Sequence, residues 1–294
     1  MNDLKTWLKA KQKEVDTALS GFLPRENASP RSIHKAMRYS IFAGGKRLRP
    51  ILCLAAAEAC GGEVKDALAP ACATEIMHTY SLVHDDLPCM DDDDLRRGRP
   101  TSHKVFGEGM AVLTGDALLT EVFITIAQTP ATKRYSVKDY VEEIAITGGS
   151  KKLIGGQVLD LEGEGKKLTK KDLIKIHEAK TAALLTASVR LGAMTANATP
   201  RKLEALTTFG YNLGLAFQVI DDILDVTQTT EMLGKTAGKD EAVDKSTYPA
   251  ILGLEKSRQE AARLTRKALK ALEVFGKKGK HLEQIARYLL EREY

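Results

Sequence analysis

At 294 residues with hydrophobic side chains at 43%, the chain is long enough to bury a sizeable core in one domain, which excludes a disordered tail or a mini-protein. The formal charge of +5 is mildly basic, but aromatic residues are few and the lysines and arginines are spread out, so a nucleic-acid surface is not indicated. Four cysteines, Cys53, Cys60, Cys72 and Cys89, form no CxxC pair and are expected to be small buried hydrophobes in a reducing compartment rather than zinc ligands.

The first residues, MNDLKTWLKAKQKEVD, carry acids among their lysines and no uninterrupted apolar run. Neither a secretory signal nor a transit peptide is expected there, and a cytoplasmic location follows. Helical spacing of apolar residues then predicts helices over 4–20, 31–43, 48–60, 66–86, 109–128, 136–162 and 170–197, punctuated by Gly44-Gly45, Gly61-Gly62 and Gly163-Glu164-Gly165. The most apolar stretch, 110–127, is interrupted by Asp116 and Glu121 and is not expected to span a membrane. After Thr199-Pro200, the steps Leu203, Leu206, Gly210, Leu213, Phe217 and Ile220 lay one small or apolar stripe along a further helix. Helices over 247–273 and 281–291 complete the chain. Alternating β-branched runs are almost absent, no solenoid-like repeat occurs, and the expectation is an all-α fold in one domain spanning 1–294.

Twice an apolar helix runs into an aspartate cluster, at Leu82-Val83-His84-Asp85-Asp86 and at Phe217-Gln218-Val219-Ile220-Asp221-Asp222. In the second cluster Gln218, Asp221, Asp222 and Asp225 stand at i, i+3, i+4 and i+7 and share one helix face. Like charges four apart repel, and burying an unpaired carboxylate costs several kcal/mol, so a cation is required. In the first cluster, DDLPCMDDDD, an unbroken helix would put Asp91 about 120° from Asp85. Pro88 is expected to break or bulge the helix so that Asp85, Asp86 and Asp91 converge. Upstream, His78, Ser81 and Asp85 share a face. Oxygen-only ligands supplied one or two at a time suit Mg²⁺ completed by substrate phosphate oxygens, and the EF-hand spacing is absent.

Cations stand near these acids in sequence. Gly44-Gly45-Lys46-Arg47-Leu48-Arg49-Pro50 is a glycine turn followed by three of them, Arg96-Arg97-Gly98 follows the first cluster, Lys180-Thr181 lies in an apolar helix, and Lys235 and Lys245 follow the second cluster. Arginine suits bidentate phosphate contacts and lysine acts as a point charge. There is no P-loop motif, no GxSxG elbow and no Cys/His nucleophile pair. Such a set fits chemistry in which a diphosphate leaves and the protein supplies neutralisation and shape.

With these residues in view, DDLPCMD at 85–91 and DDILD at 221–225 resemble the two aspartate-rich motifs of the trans-isoprenyl diphosphate synthases. The resemblance extends through GGKRLRP at 44–50, HTYSLVHDD at 78–86, LRRG at 95–98, GGQVLDL at 155–161, KT at 180–181, LGKTAGKD at 233–240 and DKSTYP at 244–249. It implies a bundle of long antiparallel helices around a central cavity, normally a homodimer. It further implies that Asp85, Asp86, Asp91, Asp221, Asp222 and Asp225 hold three Mg²⁺ ions on an allylic diphosphate, which Arg96, Lys180 and Lys235 help to neutralise. Isopentenyl diphosphate would lie on Lys46, Arg49, His78 and Arg97. Gln157, Thr181 and Gln218 would face the developing carbocation, and Lys245 would close the site from a loop over 227–246. Ionisation, condensation and proton loss then extend the chain by one isoprene unit.

Product length in the family follows the residues below the first motif. Tyr80, about 7.5 Å along the helix from Asp85, and its neighbour Ser81, with the Pro-containing insertion, resemble bacterial-type farnesyl diphosphate synthases. A farnesyl product is therefore expected, with geranylgeranyl diphosphate as the alternative. A terpene cyclase would not need the second diphosphate site at Lys46, Arg49 and Arg97, and a non-catalytic subunit would be expected to lose one aspartate motif.

Overall fold

A computed structural model describes residues 2–227 and 246–290. Its elements, in chain order, are α1 (Asn2–Phe22), α2 (Arg31–Ile41), α3 (Leu48–Cys60), α4 (Val64–Asp85), β1 (Leu95–Arg96), β2 (Arg99–Pro100), α5 (Ser102–Phe106), α6 (Glu108–Ile126), α7 (Val137–Gly148), α8 (Leu153–Gly163), α9 (Lys170–His177), α10 (Ala183–Thr195), α11 (Pro200–Thr227), α12 (Tyr248–Leu252), α13 (Leu254–Ala271) and α14 (Lys280–Leu290). The all-α expectation holds, with one two-residue hairpin added.

The centre is formed by α3, α4, α10 and α11. Helix α10 packs on α3 and α11, α4 packs on α3 and α6, and α13 covers α11. The Gly210 of the predicted stripe explains how two of these helices approach so closely. A Cβ on Gly210 would lie 2.7 Å from Thr186 Cα, and one on Gly214 would lie 2.5 Å from Ala182 Cα. Only hydrogen at both positions lets the backbone of α11 meet α10 and the residue just before it.

Two predicted helices are in fact interrupted, and a third changes its winding. The 136–162 segment breaks between α7 and α8, where Gly149 leaves helical geometry with ψ of −178°. The 247–273 segment breaks at Gly253, whose φ of 81° is left-handed. The 170–197 segment runs continuously but widens into a π-turn over Glu178–Ala182, a feature that helical periodicity does not register and that recurs at functional sites.

One further expectation is corrected. Cys53 and Cys72 are buried and Cys60 is half-buried, but Cys89 is exposed in the loop after α4, because that loop leaves the core immediately after the helix end. Helix α6 is, among the described residues, long and apolar enough to cross a membrane despite Asp116 and Glu121, and less than half of its most apolar window is buried. One face, with Ala111, Leu118, Val122 and Ile126, is core, while Val112, Leu113 and Ile124 remain exposed.

Candidate active site

Helix α4 stops at Asp85, earlier than the expected break at Pro88, and Asp86 caps it. The loop then doubles back. Asp91 N–H donates to the Asp85 carbonyl at 2.8 Å and Asp92 N–H to the Leu87 carbonyl at 3.1 Å, with Asp92 in a left-handed conformation at φ 47°. This brings Asp91 beside Asp85, the convergence the sequence requires. Burial, reinforced by Asp91 and Asp86 against the opposing pull of Lys180 and Arg96, pushes the Asp85 carboxyl up to about 6. Asp86 is buried and also raised, because burial outweighs the Arg96 guanidinium that donates to it.

The hairpin missed by the sequence reading carries the next two cations. Leu95 pairs with Pro100 and Arg96 with Arg99. The two residues between, Arg97 and Gly98, both have positive φ, 55° and 75°, as a two-residue type I′ turn demands. Arg96 Nε donates to Asp86 at 2.9 Å and its Nη2 to Asp93 at 3.1 Å. Arg97, exposed at the turn, donates instead to the Gly44 carbonyl, and its guanidinium lies where a Cβ on Gly45 would be. The signal was present in Arg97-Gly98 as a turn dipeptide, but strands of two residues are below what periodicity resolves.

A cavity of about 430 Å³ opens beside this turn, lined among others by Gly45, Lys46, Arg49, His78, Arg97 and Phe217. Its base is fixed by Arg47, one of the three cations after the glycine turn and the one given no substrate role by the resemblance. Arg47 is in fact buried and left-handed at φ 50°, and donates to Asp16 at 2.8 Å, Glu75 at 2.9 Å and the Ile41 carbonyl at 2.8 Å. Burial would lower its pKa, yet Glu75 and Asp16 together raise it. Arg49 differs: its Nε is buried without a hydrogen-bond partner. Burial, with Arg97 adding to it against Glu75 and Asp221, brings its guanidinium down to about 10. His78 is held well below its ordinary value by burial and then by Arg49, Arg97, Arg96 and Arg47, so it is neutral. An orphaned donor on Arg49 and crowded cations describe a pocket prepared for an anion.

Around a smaller space of about 200 Å³, the second cluster meets the π-turn. Its lining includes Asp160, Lys180, Thr181, Gln218, Asp221 and Asp222. Lys180 Nζ contacts Asp160 at 2.6 Å, and Thr181 Oγ1 donates to Gln218 Oε1 at 3.0 Å. Asp160 went unassigned by the sequence reading, although its i+3 spacing from Gln157 put both on one face of α8. Gln157 Oε1 is buried without a partner. Asp222 accepts the Tyr248 amide at 2.9 Å, which commits one of its oxygens to the start of α12. Asp225 is buried and lies outside this lining. Asp221, half-buried, is the carboxylate of the cluster that lies within the electrostatic reach of Arg49.

Of the remaining expected residues, Ser81 Oγ turns back onto the His78 carbonyl at 2.9 Å. Tyr80 is buried and meets His84 edge-on at 5.9 Å. Lys235 and Lys245 lie outside the described residues. Among the described residues, no three acidic, histidine or cysteine side chains close into a metal cage. The oxygen donors are instead divided between the α4 loop and α11, an open set that fits a hard cation whose shell is completed from outside the protein.

Comparison with known proteins decides the family, because the profile of Polyprenyl synthetase matches residues 30–289. The chain belongs to the polyprenyl synthetase family. A geranylgeranyl pyrophosphate synthase, chloroplastic, from Capsicum annuum is 51% identical over 267 residues, covering 90% of this chain and 72% of the relative. Geranylgeranyl pyrophosphate synthetase from Pyrococcus horikoshii superposes with a TM-score of 0.90 at 31% identity, covering 99% of each chain. A geranyltransferase from Helicobacter pylori, complexed with magnesium and isoprenyl diphosphate, superposes with a TM-score of 0.82 at 33% identity over 97% of this chain and 96% of that one. As a polyprenyl synthetase the chain has the all-helical isoprenoid synthase fold and is a prenyltransferase.

Proposed function

We propose that this polyprenyl synthetase joins an allylic diphosphate to isopentenyl diphosphate, head to tail, and that the product is geranylgeranyl diphosphate. The observation that carries the reaction is a pair of subsites. Asp221 and Asp222 of α11 border one, with Asp85 at the end of α4 within electrostatic reach of its Lys180, and a cation-lined cavity with an orphaned Arg49 Nε forms the other. In the first, Asp85, Asp86, Asp91 and Asp221 hold Mg²⁺, with Asp222 beside them and Asp225 standing behind. Three ions are expected with the allylic diphosphate, and the Helicobacter relative is complexed with magnesium. When bound, Mg²⁺ neutralises charge on the departing diphosphate.

Arg96 and Lys180 hold the same diphosphate by charge-assisted hydrogen bonds, with Lys235 and Lys245 proposed to join them. Lys46, Arg49, His78 and Arg97 orient isopentenyl diphosphate so that its double bond meets the allylic carbon. Gln218 Oε1, already accepting from Thr181, and the orphaned Gln157 Oε1 present negative dipoles to the developing cation. Neutral His78, with its pKa held far down, is a hydrogen-bond partner rather than a base, which leaves the departing diphosphate to take the proton.

The product reading follows the Capsicum and Pyrococcus relatives. The farnesyl reading drawn from Tyr80 is the second one. Tyr80 sits with Met77 and Val83 in the core, and a packed residue reports less on chain length than one lining a channel. Reversed-phase chromatography of the product from labelled isopentenyl diphosphate, dimethylallyl diphosphate and Mg²⁺ tests both. A geranylgeranyl product supports the proposal, a farnesyl product restores Tyr80 as the floor, and no condensation overturns the reaction.

A homodimer is proposed from the exposed apolar side chains Val112, Leu113 and Ile124 on α6, Ile146 on α7, and Ile154 and Val158 on α8, which a second copy would cover. Light scattering giving a monomer mass would remove it. All four cysteines are free, which suits a reducing compartment: the cytoplasm, or a plastid such as the one for which the Capsicum relative is named.

A further inference from the structure

The 95–100 hairpin presents consecutive arginines to different places. Arg96 reaches Asp86 and Asp93 on the acidic side, and Arg97 reaches the Gly44 carbonyl at the cation-lined cavity. A hairpin of two-residue strands has almost no stability of its own, so its orientation depends on what grips it. Thr101 secures one end to the acidic loop, through its Oγ1 on the Asp93 carbonyl at 2.8 Å and its N–H on the Asp94 carbonyl at 3.0 Å. The other grip comes from α2. Tyr39 Oη donates to the Pro100 carbonyl at 2.7 Å. The Arg99 guanidinium lies 4.4 Å from the centre of the Tyr39 ring and donates to the Phe42 carbonyl at 3.3 Å. Phe106 braces the same ring edge-on at 5.3 Å.

We propose that Tyr39, with Arg99 stacked on it, is a positioning residue for both diphosphates at once: it fixes the hairpin on α2 so that Arg96 and Arg97 each face one subsite. The proposal rests on the two-subsite reading above. Because one rigid turn carries both arginines, loosening the grip displaces them together, which separates this role from that of a residue belonging to one subsite.

The test compares the wild type with Tyr39→Ala, Tyr39→Phe and Arg99→Gln. It measures KM for each substrate, kcat, thermal stability, and the affinity for inorganic pyrophosphate in Mg²⁺ by titration calorimetry. Loss of binding shared by ground and transition states raises KM with little change in kcat, so Tyr39→Ala is expected to raise both KM values about tenfold with kcat within about twofold. Tyr39→Phe keeps the ring under Arg99 and loses one hydrogen bond, and is expected to rise about threefold. Arg99→Gln falls between them and, on the surface, leaves the fold intact. Weaker pyrophosphate binding in the same order supports the proposal. Unchanged KM values and pyrophosphate affinity in folded variants, or a change in one KM alone, overturns it. Wild-type protein that binds pyrophosphate but forms no prenyl product refutes the prenyltransferase reading, and the order of pyrophosphate affinities then still decides the grip.

Discussion

Replacing Asp85 by Asn is expected to stabilise the metal-free protein while removing its activity. The Asp85 carboxyl is half-buried beside Asp91 and Asp86, and its pKa rises from the ordinary 3.8 to about 6. That rise corresponds to about 3 kcal/mol between charged and neutral forms. Solvent reaching a half-buried side chain reduces it to about half, or about 1.5 kcal/mol. Since the folded-state value is the higher one, the penalty is absent below pH 3.8, grows between 3.8 and 6, and is complete above 6. Asn keeps the shape without the charge. Thermal unfolding in EDTA at pH 8 should therefore show Asp85→Asn melting about 3 °C above the wild type, with the gap closing as the pH falls from 6 towards 4. With Mg²⁺ and both substrates, turnover should fall at least a hundredfold. A variant no more stable than wild type at pH 8, a gap that persists undiminished at pH 4, or near-normal turnover would refute the reasoning.

Asp221→Ala should abolish most turnover with the helical circular-dichroism signal unchanged, and substantial residual activity would remove Asp221 from the metal set. Arg47→Ala leaves Glu75 buried and uncompensated, a loss of about 3–5 kcal/mol; calorimetry should show a melting temperature lower by about 10 °C, and a drop of a degree or two would contradict its anchoring role. Gly210→Ala should be destabilising because the added Cβ meets Thr186 Cα at 2.7 Å, an overpacking cost of about 1–3 kcal/mol readable in a denaturant midpoint. Asp160→Asn removes the charge opposite Lys180 and should raise KM for the allylic substrate more than for isopentenyl diphosphate; equal effects on the two would detach that pair from the allylic subsite.

Helix identity was legible because apolar residues recur at 3.6-residue spacing along Leu203, Leu206, Leu213 and Ile220, all on α11. The acidic clusters were legible because carboxylates directly after such a stripe are costly without a cation. Helix interruptions were less so: Gly149 and Gly253 sit in segments whose periodicity continues on both sides, and only the backbone conformation shows the break. Residues acting through one another stayed hidden. Arg47 differs from Arg49 not in type but in meeting Asp16 and Glu75, 31 and 28 residues away. Asp222 likewise gives an oxygen to Tyr248, 26 residues on. Such long-range pairings leave no mark on local spacing.

The central claim is that two diphosphates meet between the aspartate clusters and the arginine-lined cavity in a metal-dependent condensation. The most direct measurement is incorporation of radiolabelled isopentenyl diphosphate into acid-labile allylic product, by purified protein with dimethylallyl diphosphate, with Mg²⁺ and with EDTA in parallel. Incorporation should require the allylic partner and disappear in EDTA. Folded protein that incorporates nothing in Mg²⁺, or incorporates equally in EDTA, would contradict it.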